Sequence, residues 1–80
     1  MIVTVRLFAS LRETAGWSEK ELELGAEATV AELLDLLFQE LGVDWSGRPV
    51  YAAINQRYAA PDAPLQEGDV VALFPPVSGG

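Results

Sequence analysis

The chain has 80 residues, enough for one small domain but too few to supply two separate hydrophobic cores. Its 12 acidic and 5 basic residues give a net charge of −7, which repels nucleic-acid phosphates and anionic lipids, so we expect no nucleic-acid partner and no membrane partner. Cysteine and histidine are absent, which removes disulfides, thiolate chemistry and the commonest metal ligands, and we expect no metal site.

The hydropathy pattern predicts a protein of the cytoplasm. No apolar run approaches the ~20 residues that a membrane helix needs. Met1 leads directly into a strand-like segment, without the charged and apolar regions of a signal peptide. Half of the residues are apolar, a composition typical of a compact folded domain.

Two strands are predicted in the first part of the chain. Residues 2–8 alternate, so that Phe8 points away from the core face. That core face carries Val3, Val5 and Leu7. Acidic residues and leucines alternate over residues 17–24, which indicates a second strand paired with the first.

Two helical segments are predicted. A short helical turn is expected between Ser10, as its cap, and Gly16. The main helix begins at Thr29, which has capping-box spacing to Glu32, and it ends at Gly42. Apolar residues at helical spacing predict that one side of this helix is core: Val30, Leu33, Leu34, Leu37, Phe38 and Leu41.

Three further strands are predicted after the main helix. Residues 50–54 and 57–60 flank Asn55-Gln56, and asparagine tolerates the positive φ of a tight turn, so these two strands form a hairpin. Residues 69–74 are a third β-rich run.

The resulting order is β, β, helix, β, β, β, which is the order of the ubiquitin-like β-grasp fold. We therefore expect an α+β protein, with a mixed sheet of four to five strands and one main helix packed on one face. In that arrangement the first and last strands lie side by side. Residues 1–74 form the domain, and residues 75–80 form an extended tail.

The tail has an unusual composition. Pro75 and Pro76 lack amide donors and restrict φ, so they end sheet pairing and hold the chain extended. Residues 75–80 can reach roughly 20 Å. Gly79 and Gly80 have no side chains to obstruct a narrow channel or an attack on the terminal carbonyl. A frayed end is the plain alternative, and Gly-Gly alone would not distinguish the two.

Over essentially its full length the chain resembles the MoaD family, the small subunits of molybdopterin synthase. The terminal motif is the specific part of this resemblance, and the other segments support it. The residues that carry it are Arg12-Glu13, Ala53-Ile54-Asn55-Gln56, Pro64-Leu65, Gly68-Asp69 and Phe74-Pro75-Pro76-Val77-Ser78-Gly79-Gly80.

The resemblance implies a sulfur carrier. Its Gly80 carboxylate is adenylated by an E1-like (MoeB-like) enzyme that uses ATP, and a sulfur donor such as a cysteine desulfurase or rhodanese-like protein then converts it to a thiocarboxylate. The arm that presents Gly80 consists of Pro75, Pro76, Val77, Ser78 and Gly79.

The resemblance further implies that, within a large (MoaE-like) subunit and in a heterotetramer, the thiocarboxylate donates sulfur to cyclic pyranopterin monophosphate and forms the molybdopterin dithiolene. The catalytic groups are expected on the large subunit. This chain is expected to bind no cofactor of its own.

Docking is predicted on the sheet face that turns away from the core. If Val71 and Leu73 point inward, Phe74 points outward, and adjacent first and last strands join Phe74 to Phe8. Tyr58 is a weaker candidate for the same surface. A loop or the tail covering the two phenylalanines is the alternative. Trp17 and Trp45 are either lids over the core or contacts, and Arg12 is either a partner contact or a solvated helix-end charge.

Other functions use the same activated glycine. The chain could carry sulfur for thiamine thiazole synthesis or for tRNA thiolation. It could be a ubiquitin-like modifier that is conjugated to lysines through Gly80. A β-grasp interaction module with an incidental tail is a third class.

Overall fold

A computed structural model of the protein describes residues 1–42 and 49–76. Trp45 and tail residues 77–80 lie outside the described residues. In chain order the elements are β1 (Ile2–Leu7), α1 (Ala9–Ala15), β2 (Glu19–Glu23), α2 (Val30–Leu41), β3 (Tyr51–Ile54), β4 (Arg57–Ala59) and β5 (Val70–Phe74). In this part of the chain, neither helix has the length and apolar character needed to cross a bilayer.

The five strands form one mixed sheet in the order β2-β1-β5-β3-β4. The central strands β1 and β5 are parallel, and the other pairs are antiparallel. The predicted α+β class and the predicted adjacency of the first and last strands are therefore confirmed. Because β1 and β5 run in the same direction, they end at the same edge of the sheet, with Leu7 opposite Leu73.

The core lies between the sheet and α2. The alternation predicted for the two central strands is confirmed, because their inward side chains are almost completely buried. From these strands and α2, the buried side chains are Val3, Val5, Leu7, Val71, Leu73, Val30, Leu33 and Leu37. Burial of such aliphatic side chains is the dominant favourable term in folding. The opposite face of the sheet, which we call the outer face, carries the side chains that alternate with these buried ones in β1 and β5.

Both ends of α2 are held as the sequence predicts. Thr29 Oγ1 accepts a hydrogen bond from the Glu32 amide at 3.3 Å. Gly42 closes the helix with a φ of 67°, and its amide donates to the carbonyls of Gln39 and Phe38. A side-chain cap at the N-terminus and a left-handed glycine at the C-terminus satisfy backbone groups that would otherwise lack partners.

The cap at Thr29 gives a first testable prediction. Thr29→Ala removes the Oγ1 acceptor, so we expect the free energy of unfolding to fall by about 1 kcal/mol in urea denaturation. Thr14→Ala is the matched control, because Thr14 is an exposed threonine inside α1 and alanine favours a helix interior. An equal loss in the two variants would contradict the capping role of Thr29.

The start of α1 differs from the prediction. The prediction that Ser10 caps this helix is wrong. The helix begins at Ala9, and the N-cap residue is Phe8, which makes no side-chain cap hydrogen bond. Tertiary contacts explain the difference, because the Phe8 amide donates to the Leu73 carbonyl, so the backbone stays beside β5 as far as Phe8. Leu11 then anchors the short helix in the core, and Gly16 closes it, as predicted, with a φ of 83°.

Candidate functional site

Aromatic side chains from three separate parts of the chain meet on the outer face. Phe74, at the end of β5, lies opposite Tyr51 of β3, and their ring centroids are 6.1 Å apart. The ring of Tyr58, on β4, meets Phe74 edge-on at 5.9 Å. Phe8 follows β1 and lies beside β5, because its amide donates to the Leu73 carbonyl. We call these four residues together with Val70 and Ala72 the aromatic patch.

The aromatic patch is accessible. Phe8 is 44% exposed, Tyr51 49% and Tyr58 84%. Phe74 is only half-buried, and the two tyrosine rings provide part of its cover. The structure thus brings the three predicted docking residues to one face. Contiguous exposed apolar surface of this kind is typical of an interaction site.

Tyr51 belongs to this patch without having been predicted for it. The strand predicted for residues 50–54 implies that Tyr51 and Ala52 point to opposite faces, and the structure shows that Ala52 is the buried one. Only the pairing of Tyr51 with Phe74 shows that the residue reaches the predicted site.

The base of the tail adjoins the aromatic patch. β5 ends at Phe74, and Pro75 and Pro76 follow it outside any strand. Both prolines line an open, mainly apolar hollow together with Phe8, Ala9, Ser10, Ala72 and Phe74. The tail therefore leaves the domain at the edge of the patch. The division at residue 74 and the roles of residues 77–80 remain predictions.

A polar network holds the β3–β4 turn against the start of β5. Asn55 Oδ1 accepts from the Val70 amide and Asn55 Nδ2 donates to Asp69 Oδ1, both at 3.0 Å. Asp69 Oδ2 accepts from the Gln66 amide at 2.8 Å. Hydrogen bonds of this kind restrict the register between the hairpin and β5. The network therefore helps to place the tyrosines of the hairpin next to Phe74.

Charged groups occupy the β1–β2 side of the outer face. Arg6 Nε and Glu19 Oε1 form an exposed ion pair at 3.0 Å. Arg12 is exposed in the last turn of α1, which is compatible with both predicted roles. Trp17 is partly buried against the core, and the Lys20 ammonium lies 5.7 Å from its ring centroid. Of these groups, Arg6 and Glu19 lie on the outer face, because Arg6 alternates with the buried Val5 and Leu7 of β1 and is paired with Glu19.

The described residues around the aromatic patch are mainly apolar. Within residues 1–42 and 49–76, no polar or charged side chain is buried. The same residues contain no group of three or more His, Cys, Asp or Glu side chains placed to hold a metal ion. The structure thus places an exposed, mainly apolar surface next to the base of the tail.

Comparison with known proteins identifies relatives along the whole chain. The family model described as "ThiS family" matches residues 5–80. The "Molybdopterin synthase sulfur carrier subunit" of Chlamydomonas reinhardtii is 37% identical over 83 aligned positions, covering 100% of each chain. "Small archaeal modifier protein 1" of Haloferax volcanii is 38% identical, covering 94% of this chain and 97% of the relative.

Solved structures that are similar to this chain include proteins with related names. A putative molybdopterin converting factor, subunit 1, from Pyrococcus furiosus superposes with a TM-score of 0.85 and is 33% identical, covering 96% of this chain and 99% of that one. A chain in the complex of subunits 1 and 2 of molybdopterin-converting factor from Helicobacter pylori superposes with a TM-score of 0.68 and is 29% identical, covering 100% of both.

Proposed function

This chain belongs to the ThiS family, and from that premise we propose that it is a sulfur carrier, with the carboxyl group of Gly80 as the sulfur-bearing group. One observation carries the proposal: the aromatic patch and the base of the tail lie at the same edge of the sheet. A partner that binds the patch therefore receives the tail as well. The relatives named as sulfur carrier subunits support the same function.

The chemistry that we propose needs no reactive side chain from the carrier. An E1-like (MoeB-like) enzyme joins the Gly80 carboxylate to the AMP part of ATP and releases pyrophosphate. The acyl adenylate has a good leaving group, so the terminal sulfur of a persulfide on a cysteine desulfurase or rhodanese-like donor displaces AMP and forms an acyl disulfide. A thiol reductant then cleaves the S–S bond, which releases the thiol of the donor and leaves the thiocarboxylate on Gly80. ATP serves the activating enzyme, and the carrier holds no cofactor of its own.

The partner in the synthesis step is, in this proposal, a large (MoaE-like) subunit of molybdopterin synthase. The Helicobacter pylori complex of subunits 1 and 2 supports such a pairing, and we propose a heterotetramer. The patch residues Phe8, Phe74 and Tyr58 bind the large subunit, and the arm of residues 75–79 carries Gly80 into its active site. The catalytic groups of the large subunit then complete sulfur transfer to cyclic pyranopterin monophosphate.

Intact-mass analysis of the chain purified from its native host tests the proposal directly. We expect a population whose mass has increased by the replacement of one oxygen by one sulfur, and fragmentation that places the change at Gly80. A chain expressed without the activating enzyme is the control and keeps an ordinary carboxylate. Absence of the sulfur-bearing form from cells that are making molybdopterin would contradict the proposal.

Protein modification is the second candidate, and the 38% identity to small archaeal modifier protein 1 is the observation that favours it. In this function the activated Gly80 acyl group forms an isopeptide bond with a lysine of a target protein. The two functions differ in their products. Covalent conjugates that contain the Gly80 carbonyl indicate a modifier, whereas a free thiocarboxylate indicates a sulfur carrier.

A further inference from the structure

The β3–β4 turn contains a residue that its backbone conformation does not favour. Both central residues have positive φ, 49° at Asn55 and 72° at Gln56, as in a type I′ turn. Asparagine followed by glycine is the preferred pair in such turns, because glycine has no Cβ to clash in the left-handed conformation. Gln56 therefore keeps a long side chain at a position where glycine would be less strained.

The side chains of Asn55 and Gln56 differ in the hydrogen bonds that they make. Asn55 holds the turn on β5 through its bonds to Asp69 and Val70. The exposed Gln56 side chain makes no hydrogen bond within residues 1–42 and 49–76. The turn imposes the positive φ at position 56 but not a glutamine, and non-glycine residues held in the left-handed region cluster at functional sites. The internal packing of the domain therefore gives no reason for a carboxamide at position 56.

Gln56 borders a second hollow on the outer face. Val70 and Ala72 of β5 contribute to it, with Arg6 on β1 and Phe8 as further lining residues. Phe8, Val70 and Ala72 also belong to the aromatic patch, so the hollow is continuous with it. An apolar surface bordered by a few polar groups is the usual composition of a specific binding site.

We propose that Gln56 is a specificity-determining contact for the protein partner that binds the aromatic patch. The Gln56 carboxamide, which both donates and accepts, pairs with a peptide group of the partner, while an apolar side chain of the partner occupies the hollow over Ala72. This inference rests on the proposed function, since it assigns a role at the same docking surface. The occupant is a partner protein rather than a second copy, because two chains of net charge −7 repel each other.

The test compares substitutions at position 56 in the full-length chain, with the large subunit of molybdopterin synthase from the same organism as the binding probe. For Gln56→Gly we expect a Kd about fivefold higher, the size of one lost neutral hydrogen bond. The melting temperature of this variant should equal or exceed that of the unaltered chain, because glycine relieves the left-handed conformation. If Gln56 served only to stabilise the fold, its substitution would weaken binding only by also lowering the melting temperature.

Two further variants separate the carboxamide from the backbone. Gln56→Met keeps the length and the Cβ but lacks the amide, so we expect the same fivefold loss with an unchanged melting temperature. Gln39→Met, at an exposed position on α2, is the remote control and should bind normally. Normal binding by Gln56→Met overturns the contact, whatever Gln56→Gly does. If the unaltered chain does not bind the large subunit, the contact falls together with the proposed synthase partner.

Discussion

Deletion of Gly80 is expected to abolish sulfur transfer, with a loss of at least about a hundredfold. The new terminal carboxyl group would lie roughly 3.5 Å short of its former reach. Misplacement of a reacting atom by even about 1 Å can reduce a rate a hundredfold, so neither the activating enzyme nor the synthase should tolerate this shift. The measurement is formation of the thiocarboxylate by intact mass, followed by transfer to the pterin substrate in the reconstituted synthase.

The deletion should leave the domain intact, because the last strand ends at Phe74 and every buried residue of the described core precedes it. We therefore expect an unchanged melting temperature and nearly unchanged affinity for the large subunit. Ser78→Ala is the matched control, since it alters the tail but retains Gly79 and Gly80 at its end. Persistent transfer by the shortened chain, or its unfolding, would contradict the proposed separation of chemistry from fold.

Phe74→Asp is expected to weaken binding of the large subunit about a hundredfold, the size of a central contact in an interface. Phe74 meets the rings of both Tyr51 and Tyr58, so it stands at the centre of the aromatic patch. An aspartate there would place an unpaired charge in an apolar contact, which is unfavourable unless a partner cation neutralises it. Titration calorimetry with the purified large subunit measures the change.

Because Phe74 is itself half-buried, the folded state of this variant needs a separate check by thermal melting. Ile2→Asp provides the matched control: Ile2 is 45% exposed on the same outer face, at the opposite end of β1 from Phe8. It introduces the same charge in place of an apolar side chain, at the end of the face that is remote from Phe74 and Phe8. Equal weakening by both variants would indicate a general effect of charge and would count against the aromatic patch as the docking site.

The deletion of Gly80 and Phe74→Asp also discriminate between the proposed functions. A sulfur carrier of molybdopterin synthase should lose cofactor formation with either change, but for different reasons: the first abolishes transfer after normal docking, and the second prevents docking. A protein modifier should lose its conjugates on deletion of Gly80, without any requirement for a synthase subunit. A plain interaction module should tolerate the deletion.

Local sequence patterns account for most of the fold. Alternation in β1 and β5 predicts which side chains enter the core, because successive residues of a strand point to opposite faces. Thr29 and Gly42 predict the ends of α2, because caps satisfy backbone groups within one or two turns. The family membership predicted from the terminal Phe-Pro-Pro-Val-Ser-Gly-Gly motif and the supporting segments is confirmed as well.

Contacts between distant parts of the chain determined the features that local patterns did not predict. Ser10 has the residue type of a helix cap, yet α1 begins earlier because pairing with β5 continues to Phe8. Tyr51 reaches Phe74 only through the register of β3 against β5, and no local periodicity specifies the register between strands so distant in the sequence. The alternation of buried and exposed residues in the strands and the ends of α2 thus follow from the sequence by itself, because they depend on residue type and local spacing. The aromatic patch and the placement of Gln56 beside it are properties of the folded chain, because they depend on long-range strand pairing.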